Sequence, residues 1–272
     1  MATENNWLTH NLYERIDNKN SNFDVEINVQ KCKRLDFEQA SKEVCEKLYA
    51  LNNNIYVGLS GGIDSEYVFR RFHFLNIPFT PVIVYSKCYD EESSIAFNIC
   101  KEYNITPKII NIDEKDIISI YKKEMQDKLN TFGIGSVPSI IMANYAKENG
   151  GIYVKAEHMV GDKDNKVCAE LNEWDFYNDV LNDGYTYDFF LYTPEIVYSM
   201  LKEMLRTPDI DSQNFKCNLY KIPYRKKIIN NLSNITLQYF YWTKSKIFPI
   251  PNYNWNMNPK TLLENHFYDN LK

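Results

Sequence analysis

The 272-residue sequence contains no CxxC pair; its six cysteines, Cys32, Cys45, Cys88, Cys100, Cys168 and Cys217, are scattered. That scatter excludes the spacing of a structural zinc site or an iron–sulfur cluster, and points to six free thiols, several buried as small hydrophobes. A GxxxxGK[ST] run is also missing, which removes the phosphate loop of kinases and GTPases. No stretch reaches the length of a membrane-spanning helix, and the mean hydropathy is −0.48. Residues 1–20 are polar and lack the apolar core of a signal peptide. Positive charge is in deficit, with 31 Lys and Arg against 36 Asp and Glu and a net charge of −5. A broad nucleic-acid-binding face is therefore not implied. Internal repeats and long low-complexity segments are absent as well. What remains is a globular composition, 44% hydrophobic and 25% charged. The 21 Tyr and 15 Phe read as a tyrosine-rich core and surface rather than a base-stacking face. These features describe a soluble cytoplasmic protein with no membrane partner.

Against that background one stretch stands out, Ile55-Tyr56-Val57-Gly58-Leu59-Ser60-Gly61-Gly62-Ile63-Asp64-Ser65. It reads as a buried strand, a glycine turn and a helix start. Gly61 and Gly62 let the backbone bend sharply and approach a ligand closely. Val68, Phe72 and Leu75 continue at helical spacing. Main-chain N–H groups at such a turn, backed by the positive end of a helix, suit a phosphate.

Ser60-Gly61-Gly62-Ile63-Asp64-Ser65 resembles the SGGxDS pyrophosphate loop of the N-type ATP pyrophosphatases. That superfamily includes asparagine, GMP and NAD synthetases and tRNA-modifying enzymes. The resemblance implies an α/β fold, with a parallel-sheet, Rossmann-like (HUP-type) nucleotide-binding core, helices on both faces and a mainly helical C-terminal region. It implies ATP and Mg²⁺ as cofactors. Ser60, Ser65 and the Gly61, Gly62 and Ile63 main chain would hold the pyrophosphate, and Asp64 would bind the metal. The base would lie against Val84, Tyr85 and Ser86, through their main chain.

The rest of the chain fits such a core. Phe23–Val29 alternates apolar and polar residues, as a half-exposed strand does. Asp36 caps a helix to about Leu51, with a stripe of Phe37, Ala40, Val44, Leu48 and Leu51. Thr80–Tyr85 reads as a buried strand and Lys108–Ile112 and Ile152–Ala156 as further strands, alternating with helices over Glu91–Tyr103, Asp113–Leu129 and Ser139–Glu148. The ligand is expected beyond the carboxyl ends of the strands, where the motif sits. Beyond residue 166 the alternation fades. Helices are expected over Trp174–Leu181, Thr193–Leu205 and Tyr224–Asn231, a short strand or buried turn over Phe189–Tyr192, and an irregular aromatic arm from Phe248. Three parts follow: an extension over 1–50, an ATP-binding core over 51–165, and a mainly helical substrate-binding region over 166–272.

Two further groups of residues carry candidate chemistry. Glu157–Lys166 is a polar stretch placed where many superfamily members carry a second acid-bearing loop, so Asp162 and Asp164 are candidate magnesium ligands. It departs from the SGEGSDE-like form of the asparagine synthetases. His158 within it is a candidate acid–base group, although a lone histidine at a strand end is more often structural. Lys216 and Lys221, then Tyr224-Arg225-Lys226-Lys227, form the main basic cluster. Lys221 and Arg225 are singled out as catalytic phosphate clamps because Leu219, Tyr220, Ile222 and Pro223 look partly buried around them.

The leading expectation is an ATP-dependent, AMP-forming C–N ligase of the asparagine-synthetase-like kind. It rests on Ile63 in the loop, the helix before the first strand and the helical C-terminal half. Met1 is followed by Ala2 and not by the nucleophilic cysteine of a glutaminase domain, so nitrogen is expected from solution, a partner or an amine substrate. The acceptor is an unidentified small molecule, and a homodimer is one open arrangement. The alternatives are a tRNA- or nucleobase-modifying enzyme, with Cys88 and Cys168 for sulfur transfer, and a sensor that binds ATP without turnover.

Overall fold

The computed structural model describes residues 7–10, 25–27, 29, 31–87, 90–120, 137–156, 159–163, 166–170, 185–224, 256–257 and 259–264. The strands are β1 (Leu8–His10), β2 (Val25–Ile27), β3 (Ile55–Gly58), β4 (Thr80–Tyr85), β5 (Lys108–Asn111), β6 (Ile152–Lys155), β7 (Val160–Lys163), β8 (Lys166–Glu170), β9 (Thr186–Asp188) and β10 (Asn256–Met257). The helices are α1 (Phe37–Leu51), α2 (Ile63–Phe74), α3 (Asp90–Glu102), α4 (Glu114–Ile120), α5 (Val137–Glu148), α6 (Pro194–Arg206), α7 (Ser212–Tyr220) and α8 (Pro259–Leu262).

The core is a five-stranded sheet in the order β5-β4-β3-β6-β9, with every pairing parallel. The order reverses direction at β3. The chain steps outward from β3 to β4 and β5, then returns to β6 on the other side. Right-handed crossovers taken in opposite directions put their helices on opposite faces. Strand alternation shows this directly. Ile55 and Val57 of β3 pack into the cluster that holds α1, α2 and α6, whereas Tyr56 packs with Val82, Val84 and the α5 residues Met142, Ala143 and Ala146. Ile83 turns to the first face, against Phe69 of α2 and Ala96 and Ile99 of α3. The α/β fold expected from the sequence is the fold observed.

Local signals set the boundaries. Asp36 accepts the Gln39 N–H at 2.8 Å and starts α1, whose stripe of Phe37, Ala40, Val44 and Leu48 is buried. Each large apolar side chain so buried contributes about 1.5–3 kcal/mol. Thr193 caps α6, with Pro194 in its first turn. Asn76, with φ of +52°, closes the turn between α2 and β4.

The region after residue 166 differs from expectation. It adds β9 to the main sheet through Lys155↔Asp188 and its neighbours, so the core extends past residue 165. Phe189–Tyr192 forms a buried turn behind β9. The polar stretch after β6 is not a loop throughout. Val160–Lys163 and Lys166–Glu170 pair as an antiparallel hairpin, and β10 adds to it. Val160, Val167 and Ala169 supply the apolar residues that anchor it in the core, interleaved with the polar ones. Helix α7 is not among the helices expected from the sequence. The helix expected over Trp174–Leu181 lies outside the described residues, as does that over Tyr224–Asn231 beyond its first residue. Among the described residues no helix is long and apolar enough to cross a membrane. Five cysteines are described, all free and buried; Cys88 lies outside the described residues.

Candidate active site

The Ser60–Ser65 loop leaves β3 at its carboxyl end, at the point where the strand order reverses. Open parallel sheets form their ligand crevice at this switch point. The last rung before the loop is Leu59 N–H to Val82 O at 2.9 Å. Past it β3 turns away and β4 runs on. Main-chain groups alternate sides along a strand. Tyr85 O accepts Ile112 N–H on the β5 side, so the main-chain groups of Val84 and Ser86 point to the β3 side, above the loop. Of the three residues expected to meet the base, the register turns Val84 and Ser86 that way and Tyr85 towards β5.

Within the loop the glycines are needed for geometry. Gly61 has φ of +84°, and a Cβ there would stand 2.2 Å from the Glu92 carbonyl oxygen in the first turn of α3. Gly62 begins α2 with no capping side chain, which leaves the first-turn N–H groups without an intrahelical partner and facing the loop. Ser65 Oγ closes the turn from inside. It donates to Gly62 O at 2.9 Å, accepts Ser60 N–H at 3.2 Å and lies 3.1 Å from Ser60 Oγ. Ser65 is buried, whereas Ser60 is exposed. The two serines expected to act alike therefore differ: Ser65 shapes the loop and Ser60 lies at its surface.

Asp64, in the first turn of α2, is held from across the chain. Lys216 Nζ lies 2.7 Å from its Oδ2 and the Tyr220 hydroxyl donates to its Oδ1 at 2.8 Å. Both come from α7, four residues apart and so on one helix face. Asp211 caps α7 by accepting the Asn214 N–H at 2.9 Å, and this cap is the sequence signal that would have located the helix. Tyr220 is buried in a column of rings, 4.4 Å from Tyr67 and 5.7 Å from Phe190; Phe37 lies 5.2 Å from Tyr67. Burial pushes the Tyr220 phenol well above the ordinary tyrosine range; the Asp64 charge and hydrogen bond, then Tyr67 and Asp188, push it further. It stays protonated and donates. Asp188, at the end of β9, accepts the Phe190 and Leu191 N–H groups at 2.8 and 3.1 Å. Its register partner is Lys155, a buried lysine at the end of β6 whose sequence context signals only a strand.

The structure brings Lys216 to Asp64 and not Lys221. Helix α7 ends at Tyr220, and Lys221 follows in the left-handed conformation, φ 55°, its N–H bonded to Cys217 O. That backbone turns its side chain outward: it is 77% exposed and lies 3.5 Å from Glu38. Asp162 sits in β7 opposite Val167, a hairpin position rather than the expected loop. Arg225, Asp164 and His158 lie outside the described residues.

Among the described residues no three His, Cys, Asp or Glu side chains come together to hold a metal ion. Asp64 is a hard carboxylate beside the uncapped N–H groups at the start of α2. That donor fits Mg²⁺ carried in on phosphate oxygens and water.

No family model matches the sequence, and no curated protein sequence matches it. Solved structures similar to this chain include two synthetases. One is an NH3-dependent NAD synthetase from Campylobacter jejuni in complex with the nitrate ion, at 17% identity and a TM-score of 0.33, over 46% of this chain and 58% of that one. The other is an NMN synthetase from Francisella tularensis, at 13% identity and a TM-score of 0.37, over 81% of this chain and 99% of that one. The chain thus spans just over half the length of the first. At these TM-scores neither likeness extends to substrate or mechanism.

Proposed function

We propose that the chain is an ATP pyrophosphatase that adenylates a small-molecule acceptor for C–N bond formation. The observation that carries this reading is the Ser60–Ser65 loop itself, an SGGxDS turn at the switch point of a parallel sheet, opening on an uncapped helix with Asp64 in its first turn. An acceptor oxygen attacks the α-phosphorus of ATP, the bond to the bridging α–β oxygen breaks, and pyrophosphate leaves. An amine or ammonia then displaces AMP from the adenylated carbon. Ser60 and the Gly61, Gly62 and Ile63 N–H groups hold the leaving pyrophosphate, where its charge develops. The Val84 and Ser86 main chain meets the base. Mg²⁺ on Asp64 supplies charge neutralisation for the β- and γ-phosphates when bound. Tyr220 orients the Asp64 carboxylate for this role, and Lys216 supplies positive charge beside it.

The reading is tested by ATP–pyrophosphate exchange against a panel of carboxylic acids, with and without ammonia. Exchange that depends on one acid, and amide formed when an amine is present, is the expected result. Release of no pyrophosphate under any condition would favour a sensor that binds ATP without turnover. Of the two cysteines in the sulfur-transfer alternative, Cys168 is buried in the β7–β8 hairpin and Cys88 lies outside the described residues.

A further inference from the structure

We propose that Lys216 occupies, in the nucleotide-free chain, the place a divalent cation takes on Asp64 Oδ2, while Tyr220 fixes the carboxylate so that exchange occurs at that oxygen alone. The inference rests on the ATP-site reading above. Its basis is the unequal footing of the two partners of one carboxylate. Tyr220 cannot follow a moving ligand: its ring is stacked on Tyr67 at 4.4 Å and on Phe190 at 5.7 Å, and its hydroxyl is held at 2.8 Å from Oδ1. Lys216 carries a compact ammonium on a flexible four-carbon stem, so it can leave while α7 stays in place.

Charge and distance make the two cations alternatives. Mg²⁺ sits about 2.0–2.1 Å from an oxygen ligand, inside the 2.7 Å now kept by the ammonium. Two cations sharing that one oxygen would repel. An Asp64 left without a partner would also be costly, because its side chain is only 15% exposed. Lys216 therefore serves as the resting counter-ion. When a divalent cation arrives on pyrophosphate or ATP, the ammonium leaves Oδ2 but remains beside the Ser60–Ser65 loop. There it meets the phosphate oxygens and takes up the charge brought by the ligand. The ammonium thus offsets part of the negative charge that the metal-bound phosphates bring.

The wild-type chain allows a direct test by acetic anhydride labelling, with Lys216 acetylation read by mass spectrometry. Mn²⁺ alone should raise Lys216 labelling by about threefold, the order expected when a modest ion pair is released. Adding pyrophosphate with Mn²⁺ should bring the labelling back down. Mn²⁺ binding followed by electron paramagnetic resonance gives the second arm. Lys216→Met should tighten binding of Mn²⁺ alone by about fivefold and weaken binding of Mn²⁺-pyrophosphate. Tyr220→Phe should weaken both, with an unchanged circular dichroism spectrum. Lys216 labelling that ignores Mn²⁺, while Mn²⁺-pyrophosphate still binds, overturns this inference and leaves the ATP site standing. A wild-type chain that binds neither ATP nor Mn²⁺-pyrophosphate overturns both.

Discussion

The loop after β3 and helix α7 converge on the same carboxylate but are built in opposite ways. The loop is local. Six consecutive residues fix it, through a glycine that cannot carry a side chain and a serine that bonds back three and five residues. Helix α7 contributes Lys216 and Tyr220 from 152 and 156 residues further along. Its position depends on packing, chiefly the column of Phe37, Tyr67, Tyr220 and Phe190 drawn from α1, α2, α7 and the turn after β9. The contrast teaches that an anion cradle can be written in a short motif, while the groups that tune its carboxylate are placed by the whole core.

Substitutions on the two sides should separate these contributions. The largest effect is expected from Asp64→Asn, where the two sides meet. Removing that charge should lower ATP–pyrophosphate exchange by about 100- to 1,000-fold, and should lower the unfolding midpoint as well, because the buried Lys216 ammonium loses its counter-ion. Gly61→Ala attacks the loop alone. The left-handed backbone and the 2.2 Å approach to Glu92 O should cost about 1–3 kcal/mol in urea unfolding and remove most of the exchange. A stable, active variant would show that the loop tolerates another backbone path.

Tyr220→Phe attacks the α7 side while keeping the ring. Loss of a hydrogen bond to a charged group should cost about 1.5–3 kcal/mol. The variant also has a pH signature. The phenol is held protonated above its ordinary value in the folded chain, so above about pH 10 the unfolded chain releases a proton that the folded chain keeps. This contribution to stability is fully present below pH 10 and is lost as the pH rises towards the folded value. The gap in unfolding midpoint between wild type and Tyr220→Phe should therefore narrow from pH 9 to pH 11. The smallest effect is expected from Lys221→Ala, whose exposed ammonium lies, among the described residues, beside Glu38; exchange and midpoint should both stay at wild-type values. A large loss of exchange there would return Lys221 to the site and break the contrast with Lys216.

The sequence made one half of this site readable. Ile55, Tyr56 and Val57 announced a buried strand, and β4, α1 and α6 fell within a residue or so of their expected bounds, because caps such as Asp36 and Thr193 and apolar periodicity are local signals. Lys216 and Lys221 look equivalent in a basic cluster. Only the left-handed turn after Tyr220 sends one inward and the other to solvent, and a lysine at that position carries no advance sign of it. The β7–β8 hairpin was hidden for a related reason: Gly161, Asp162 and Lys163 are weak strand formers, and their pairing with Lys166–Cys168 comes from hairpin closure against the core rather than from propensity. Lys155 was passed over because a charged residue at a strand end is usually solvated, and its burial follows from β9 joining the sheet beside it.

The four-ring column also has a consequence for how the molecule comes apart. Its rings belong to segments that begin at residue 37 and end at residue 220, so opening α7 breaks contacts that also hold α1. Such segments unfold as one cooperative unit. Amide hydrogen exchange in α7 should therefore slow and quicken together with that in α1, and a deletion that removes α1 should leave the Asp64 carboxylate without either of its partners.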